Sequence, residues 1–433
     1  MNRTPATQDA PALKLGIAGF SYADLYEPAK LKELSDLFYA DVKKADSELF
    51  AAFDAYRKKK GEGVAPTETS DLLCRMGIHL DRFVVRLFGI EEGAARLRKE
   101  IGRLCLLFPF KNDFVLRRVL KKYKPADAAE MDFRALDKMA SALQRAVFPA
   151  ETPDEDQEIT AGRMVSALLS IEREFVREAQ KLENDAAGAR KRLSEIRGKL
   201  GQHAEAKHLL AGLIQPAPQA ADQEKVFLGG LMELIERWAY SATQDPAGRE
   251  KIKGWVSFHA PEKMDFTRLV EFHRTDPGMP EAMEGPTETR RRRDGFKLTD
   301  RRFDRKKALA EIDYCVFCHD RDKDSCCKGY VDKKGARVKN PVGIVLDGCP
   351  LREKISEAHW LKKQGDSIAA LAMIAIDNPM VPGTGHRICN DCMKACIYQK
   401  QEPVNIPQAE TRILTDVLDL PWGLEIYGLL TRW

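Results

Sequence analysis

"HRICNDCMKACIYQKQEPVNIPQAET", from His386 to Thr411, places Cys389, Cys392 and Cys396 in one short run of the chain. The first two are spaced Cys-x-x-Cys, which turns two thiolates of one turn toward the same ion or cluster. The spacing recurs at Cys315 and Cys318 in "YCVFCHDRDKDSCCKGY", which adds Cys326 and Cys327, and Cys349 stands between the two runs in "LDGCPLREK". Only Cys74 and Cys105 lie elsewhere, so the crowded region holds eight of the 10 cysteines, the demand of two four-ligand sites.

What such thiols hold depends on where the chain resides. The start, "MNRTPATQDAPALKLGIAGFSYADLY", has neither a secretory apolar core nor a transit-peptide composition, and no later window approaches the ~20 apolar residues of a membrane span. The expectation is a cytoplasmic protein, where cysteine clusters read as metal or redox sites rather than disulfides. Lys+Arg 70 against Asp+Glu 66 leaves a net charge of +4, too small to imply nucleic acid or an anionic membrane as partner.

"CVFCH" with His319, and Met380 as an axial ligand, has the form of a c-type haem site, but that attachment needs export and strands the other clustered cysteines. His319 is then expected to be an exposed loop residue or a donor behind the ligands. A thioredoxin-type pair lacks the βαβ pattern around either Cys-x-x-Cys. Zinc knuckles sit on small hairpins, whereas "LREKISEAHWLKK" and "DSIAALAMIAIDNP" between the cysteines have helical spacing, which favours a [4Fe–4S] cubane. Cys349-Pro350 is expected to lead straight into a helix whose free N–H groups would face an anionic cluster. A zinc-stabilised helical protein-interaction module is the competing reading.

The rest of the chain reads as all-α. Residues 30–150 space their apolar side chains three and four apart, with Cys74 and Cys105 as small buried hydrophobes inside those faces. Met164, Leu168, Ile171, Phe175, Leu182, Ala189, Leu193, Ile196 and Leu200 continue the pattern, as a coiled-coil-like helix or one arm of a helical hairpin packed on the N-terminal helices. "TDPGMPEAMEGPTETRRRRDG", with Arg290 to Arg293, reads as a solvated linker. The expected division is 1–275, a helical domain of unknown role; 276–304, the linker; and 305–433, the cysteine domain. "GIAGF" at 16–20 lacks the third glycine and the flanking strand of a dinucleotide loop.

The order Cys-x-x-Cys, a third Cys, "GCP", then "NPMVPGTGHRICNDCMKACIYQKQEPVNIPQAET" resembles the helical iron–sulfur domain of the glutamate synthase small subunit and of dihydropyrimidine dehydrogenase, over residues 305–433. In this chain the segment 328–348 separates the third cysteine from "GCP". The resemblance implies an α-helical ferredoxin-like domain with two [4Fe–4S] clusters, the electron-transfer part of a flavin-dependent oxidoreductase and not catalytically complete alone. It implies that one cluster takes Cys315, Cys318, Cys326 or Cys327, and Glu410, while the other takes Cys349, Cys389, Cys392 and Cys396. It also implies FAD and NAD(P)H on a following domain or subunit, and an electron acceptor or donor protein as partner. Leu429, Leu430 and Trp433 are expected to touch that following domain. Ile388, Met393, Ile397 and Ile406 are expected to form a dry shell, with Arg387 and Lys394 offsetting cluster charge.

Overall fold

The computed structural model describes residues 15–147, 156–180, 186–214, 222–287, 290, 295–296 and 301–432. Local chemistry sets the first helices. Proline at the first position opens both α1 (Pro28–Ala45) and α3 (Pro66–Phe88), where its missing N–H costs nothing. Asp46 caps α2 (Ser47–Lys58) by accepting from the Leu49 amide at 2.9 Å. α3 stops at Gly89, whose φ of 64° a glycine adopts without strain, and α4 (Glu91–Cys105) follows.

Residues 103–260 form a compact unit of their own. Here α5 (Phe133–Val147), α6 (Gln157–Ala179), α7 (Ala187–Gln202) and α8 (Gln223–Gln244) enclose a core that includes Phe110, Phe114, Leu143, Leu168, Leu193, Phe227 and Trp238. The apolar stripe of residues 164–200 is a helical hairpin rather than one continuous helix. Arg190 of α7 meets Glu178 of α6 at 2.8 Å, and Arg192 pairs with Glu174, so advancing along one helix means retreating along the other. Met164, Leu168, Ile171, Phe175, Ala189, Leu193, Ile196 and Leu200 all face this core, where α7 packs on α5 and α8; Leu182 lies outside the described residues.

The second unit joins residues 1–102 to 261–433. A short antiparallel pair, β1 (His273–Arg274) with β2 (Met283–Glu284), precedes α9 (Arg305–Tyr314). Then come α10 (Ser325–Lys328), α11 (Ile355–Gln364), α12 (Ser367–Ala375), α13 (Val381–Ile388), α14 (Asp391–Lys394), α15 (Ile406–Leu418) and α16 (Gly423–Leu430). The chain thus divides differently from the expected 1–275, 276–304 and 305–433, and polar contacts show why. Asp81 of α3 accepts from the amides of Ile368 and Ala369 at 3.0 and 3.3 Å, which satisfies two orphan donors at the start of α12. Arg98 of α4 reaches Asp366 at 2.8 Å, and Ser70 of α3 donates to Glu357 of α11 at 2.6 Å. Sequence periodicity carries no record of such partners, because they lie far apart in the chain.

Three helices of this unit meet at one buried charge network. Asp416 of α15 binds Lys362 of α11 at 2.6 Å and Arg305 of α9 at 2.7 Å, and Arg412 pairs with it too. The side chains of Lys362 and Asp416 are both 0% exposed, so neither is compensated by water. Burial acts to raise the pKa of Asp416, but Lys362, Arg305 and Arg412 hold it well below the usual carboxylate range.

Leu429 is buried within this unit and Leu430 half-buried, so Leu429 is not reserved for a following domain; Trp433 lies outside the described residues. Arg290 pairs with Glu284 and donates to the Gly285 carbonyl, while Arg291 to Arg293 lie outside the described residues. Among the described residues no helix is long and apolar enough to cross a membrane.

Candidate metal centre

The site grows from the loops around α9, α10, α14 and the start of α15. Tyr314 ends α9 and Tyr398 lies just past α14; their rings stack at 4.3 Å between centroids, and the Tyr398 hydroxyl donates to the Tyr314 carbonyl at 3.2 Å. This pins the residue before Cys315 to the residue two beyond Cys396. Cys326, Cys392 and Cys396 are buried among Ile355, Val404 and Ile406, with Cys315 and Cys349 packed against the same cluster.

The thiols sort into two groups by electrostatic reach. Negative charge on Cys396 is felt at Cys315, Cys318 and Cys326. Cys392 senses Glu410, Cys349, Cys389 and Glu353, and Cys349 in turn senses Glu353 and Glu410. These electrostatic neighbours differ from the expected division, which put Cys396 with Cys349, Cys389 and Cys392 and put Glu410 with Cys315 and Cys318, while Cys326, Cys392 and Cys396 all lie in one buried cluster. Of the adjacent pair, Cys326 joins the first group, whereas Cys327 faces Asp324, Glu357 and Cys349.

Burial pushes the thiols up, to about 12 for Cys315 and about 11 for Cys318, so their environment opposes free thiolates. Backbone amides oppose that trend at particular sulfurs. The neighbouring backbone of Tyr398, Val404 and Ile397 acts to lower the Cys396 pKa, that of Phe317 the Cys315 pKa, and that of Glu353 and Leu351 the Cys349 pKa. The Asp391 amide approaches Cys389 Sγ at 3.5 Å. The backbone acting on Cys349 belongs to the turn 350–354, in which Arg352 has a φ of 53°, and not to a helix beginning at Pro350; α11 starts only at Ile355.

Glu410 is buried on α15 and faces Glu353, and burial followed by that neighbouring carboxyl drives its pKa well above the ordinary value. Glu353 also accepts from Asn378 Nδ2 at 2.8 Å. Sequence reasoning missed Glu353, whose only signal is its place four residues after Cys349, and it missed the tyrosine stack. His319 is buried rather than exposed: its Nδ1 meets Ser356 Oγ at 2.6 Å, which fixes the ring behind Cys318.

The expected dry shell needs revision. Ile406 is buried, but Ile388 is 72% exposed, Ile397 is exposed and Met393 only partly buried; Ile355 and Val404 take the lining role. Lys394 pairs with Asp391 at 2.8 Å instead of facing a cluster, and the Arg387 side chain lies outside the described residues. Cys74 is buried as expected, while Cys105 is only half-buried.

The segment 328–348 leaves this framework undisturbed because it closes on itself. Gly329 (φ 86°) and Gly348 (φ 79°) cross backbone to backbone: a Cβ on Gly348 would sit 2.5 Å from the Gly329 nitrogen and 2.9 Å from the Cys327 carbonyl. The Cys349 amide then donates to the Cys326 carbonyl at 2.8 Å. Two ligand candidates separated by a long insertion thus become neighbours.

Among the described residues no three Cys, His, Asp or Glu side chains converge tightly enough to surround a single metal ion. A cubane makes a different demand, since each thiolate binds an iron at its own corner and the ligands ring a volume instead of a point.

Comparison with known proteins places the chain elsewhere than the cysteine pattern did. Residues 15–89 match a family described as the RP005 N-terminal alpha-helical domain. The chain is 23% identical over 369 residues to the uncharacterized protein RP005 of Rickettsia prowazekii (strain Madrid E), covering 81% of this chain and 99% of that protein. It is 74% identical over 54 residues to the uncharacterized protein RP006 of the same organism, covering 12% of this chain and 8% of RP006. The chain thus spans only a small part of RP006. No solved structure matches. No iron–sulfur or glutamate synthase family is matched, which overturns the resemblance to the glutamate synthase small subunit and dihydropyrimidine dehydrogenase. The flavin and nicotinamide partners came from that resemblance alone and go with it; what the chain is similar to is the RP005 helical domain.

Proposed function

We propose that this protein holds two [4Fe–4S] clusters and relays single electrons between partner proteins. The reading rests on this chain's own residues. The observation that carries it is the gathering of Cys326, Cys392 and Cys396, with Cys315 and Cys349 packed against them, among Ile355, Val404 and Ile406. Neighbouring backbone amides favour the charged form of Cys315, Cys349 and Cys396, which suits a ligating thiolate and tunes its cluster's potential. When bound, such clusters supply one-electron oxidation and reduction at a potential set by ligands, hydrogen bonds and burial.

The chain's residues divide the work. Cys315, Cys318, Cys326 and Cys396 would hold one cluster; Cys349, Cys389 and Cys392, with Glu410 as an oxygen donor, would hold the other. Ile355, Val404 and Ile406 exclude water from the sulfurs of Cys326, Cys392 and Cys396, and the Tyr314–Tyr398 stack keeps the two ends of the first ligand group in register.

Anaerobic purification tests the reading directly. It should yield about eight iron and about eight acid-labile sulfide per chain, the content of two [4Fe–4S] units. A colourless preparation with stoichiometric zinc and no sulfide refutes it.

A further inference from the structure

Between Cys327 and Cys349 the chain leaves the ligand framework and returns as a narrow β-arm. Tyr330 pairs with Leu346 and Val338 through backbone hydrogen bonds of 2.8 and 3.0 Å, and Asn340 bonds Ile344 at 2.9 Å near the tip. The arm contributes none of the proposed ligands. Its composition is that of a contact surface: Val331, Val342, Ile344 and Val345 are all exposed, the first to 50%. Scattered exposed aliphatics are ordinary, but four on one short arm are a concentration.

Charge says what would cover them. The arm carries Lys333, Lys334, Arg337 and Lys339 against Asp332 and Asp347. Arg337 is committed, donating to the Lys328 carbonyl at 2.5 Å and lying 3.5 Å from Asp347. Lys333, Lys334 and Lys339 are exposed and have no ion-pair partner among the described residues. At the arm's root a cavity of about 380 Å³ is lined by Asp324, Ser325, Lys328, Tyr330, Val331 and Ile397. Ser325 adjoins Cys326 and Ile397 adjoins Cys396 in the chain, so the cavity wall carries the sequence neighbours of two of the proposed ligands.

We propose that the arm is the docking site of a small acidic protein that exchanges single electrons at the cavity beside Cys326 and Cys396. The inference rests on the cluster reading. The partner's carboxylates meet Lys333, Lys334 and Lys339 for steering, and an apolar patch on it covers Val331, Val342, Ile344 and Val345. Paired basic and apolar groups of this kind give fast, salt-sensitive association without demanding high affinity.

The test uses the full anaerobic chain and a chemically reduced acidic [2Fe–2S] ferredoxin as probe. Binding is read by calorimetric titration and electron transfer by stopped-flow bleaching, each across a range of salt. In the native chain both should weaken as the Debye length shrinks. Lys333→Glu/Lys334→Glu/Lys339→Glu, confined to exposed side chains, should weaken binding and slow transfer by about tenfold or more and abolish the salt dependence. Iron, sulfide and reduction by dithionite should stay native. A fully loaded variant with unchanged binding and rate overturns the docking site alone. Lysine-dependent binding to phosphatidylglycerol vesicles or single-stranded RNA, with the ferredoxin unbound, overturns it in favour of another partner. A native chain without iron and sulfide overturns the cluster reading and this inference with it.

Discussion

Asp416→Asn tests the buried charge network that joins α9, α11 and α15. The substitution keeps the shape and one acceptor oxygen while removing the only negative charge paired with buried Lys362 among the described residues. Burial already lowers the pKa of Lys362, and without Asp416 the ammonium either stays charged and unpaired or gives up its proton. Neutralising a lysine of ordinary pKa near 10.4 at pH 7 costs about 4.6 kcal/mol, which caps the penalty. Breaking a buried pair by removing one partner costs about 3–5 kcal/mol, in agreement. Arg305 and Arg412 retain access to water and add little.

The sign with pH follows. In the native chain Asp416 has a depressed pKa, so its stabilisation is present above the usual carboxylate range and is lost as pH falls below that range. In the variant Lys362 is the depressed group, so the defect shrinks as pH rises, by up to about 1.4 kcal/mol per unit between pH 7 and 9. Hydrogen-exchange mass spectrometry on peptides from 305–314, 355–364 and 406–418 reads the local opening, with peptides from 157–179 in the other unit as the control. A loss below about 1 kcal/mol that does not change with pH would show that Lys362 is not dependent on Asp416. Lys362→Met with Asp416→Leu should recover most of the loss, because a packed apolar pair carries no desolvation penalty.

Cys396→Ala should lower iron from about eight to about four per chain and remove the signal of the cluster held with Cys315, Cys318 and Cys326. If the surviving cluster instead depends on Cys315, so that Cys315→Ala with Cys396→Ala leaves no cluster at all, the grouping is wrong. Asp81 is raised to about 6 by burial and then by Asp366. Its folded pKa lies above the unfolded one, so the stability it adds is present below about pH 4 and disappears as pH rises through 6, at most about 3 kcal/mol. Asp81→Asn keeps an oxygen for the Ile368 and Ala369 amides and should flatten thermal stability between pH 4 and 7; an undiminished slope would exonerate Asp81.

The helical class was legible because apolar residues recur at helical spacing from Leu34 to Leu429, and that periodicity survives any tertiary arrangement. The hairpin of α6 and α7 was not legible: the stripe was expected as one coiled-coil-like helix or one hairpin arm, and its spacing is the same whether the helix continues or folds back. The association of residues 15–102 with 261–433 left no trace in the sequence: Asp81, Arg98 and Ser70 look like ordinary helix residues until α11 and α12 arrive beside them. Ligand grouping is not legible for a related reason. Cys-x-x-Cys fixes which thiols share a turn, but Cys396 lies past the end of α14, where the direction of the next loop decides its company.

That direction is set by residues outside the cysteine motif. The Tyr314–Tyr398 stack, with Gln401 donating to the Tyr314 hydroxyl, draws the loop after Cys396 toward the end of α9 and hence toward Cys315. Cys392 on α14, and Cys389 at the end of α13 just before it, lie within electrostatic reach of Cys349 and Glu410. One short segment therefore serves both ligand groups, and a second link, from the Cys349 amide to the Cys326 carbonyl, joins them through the neck of the β-arm. Because both links are local backbone and ring contacts, a shift of either group moves the other with it.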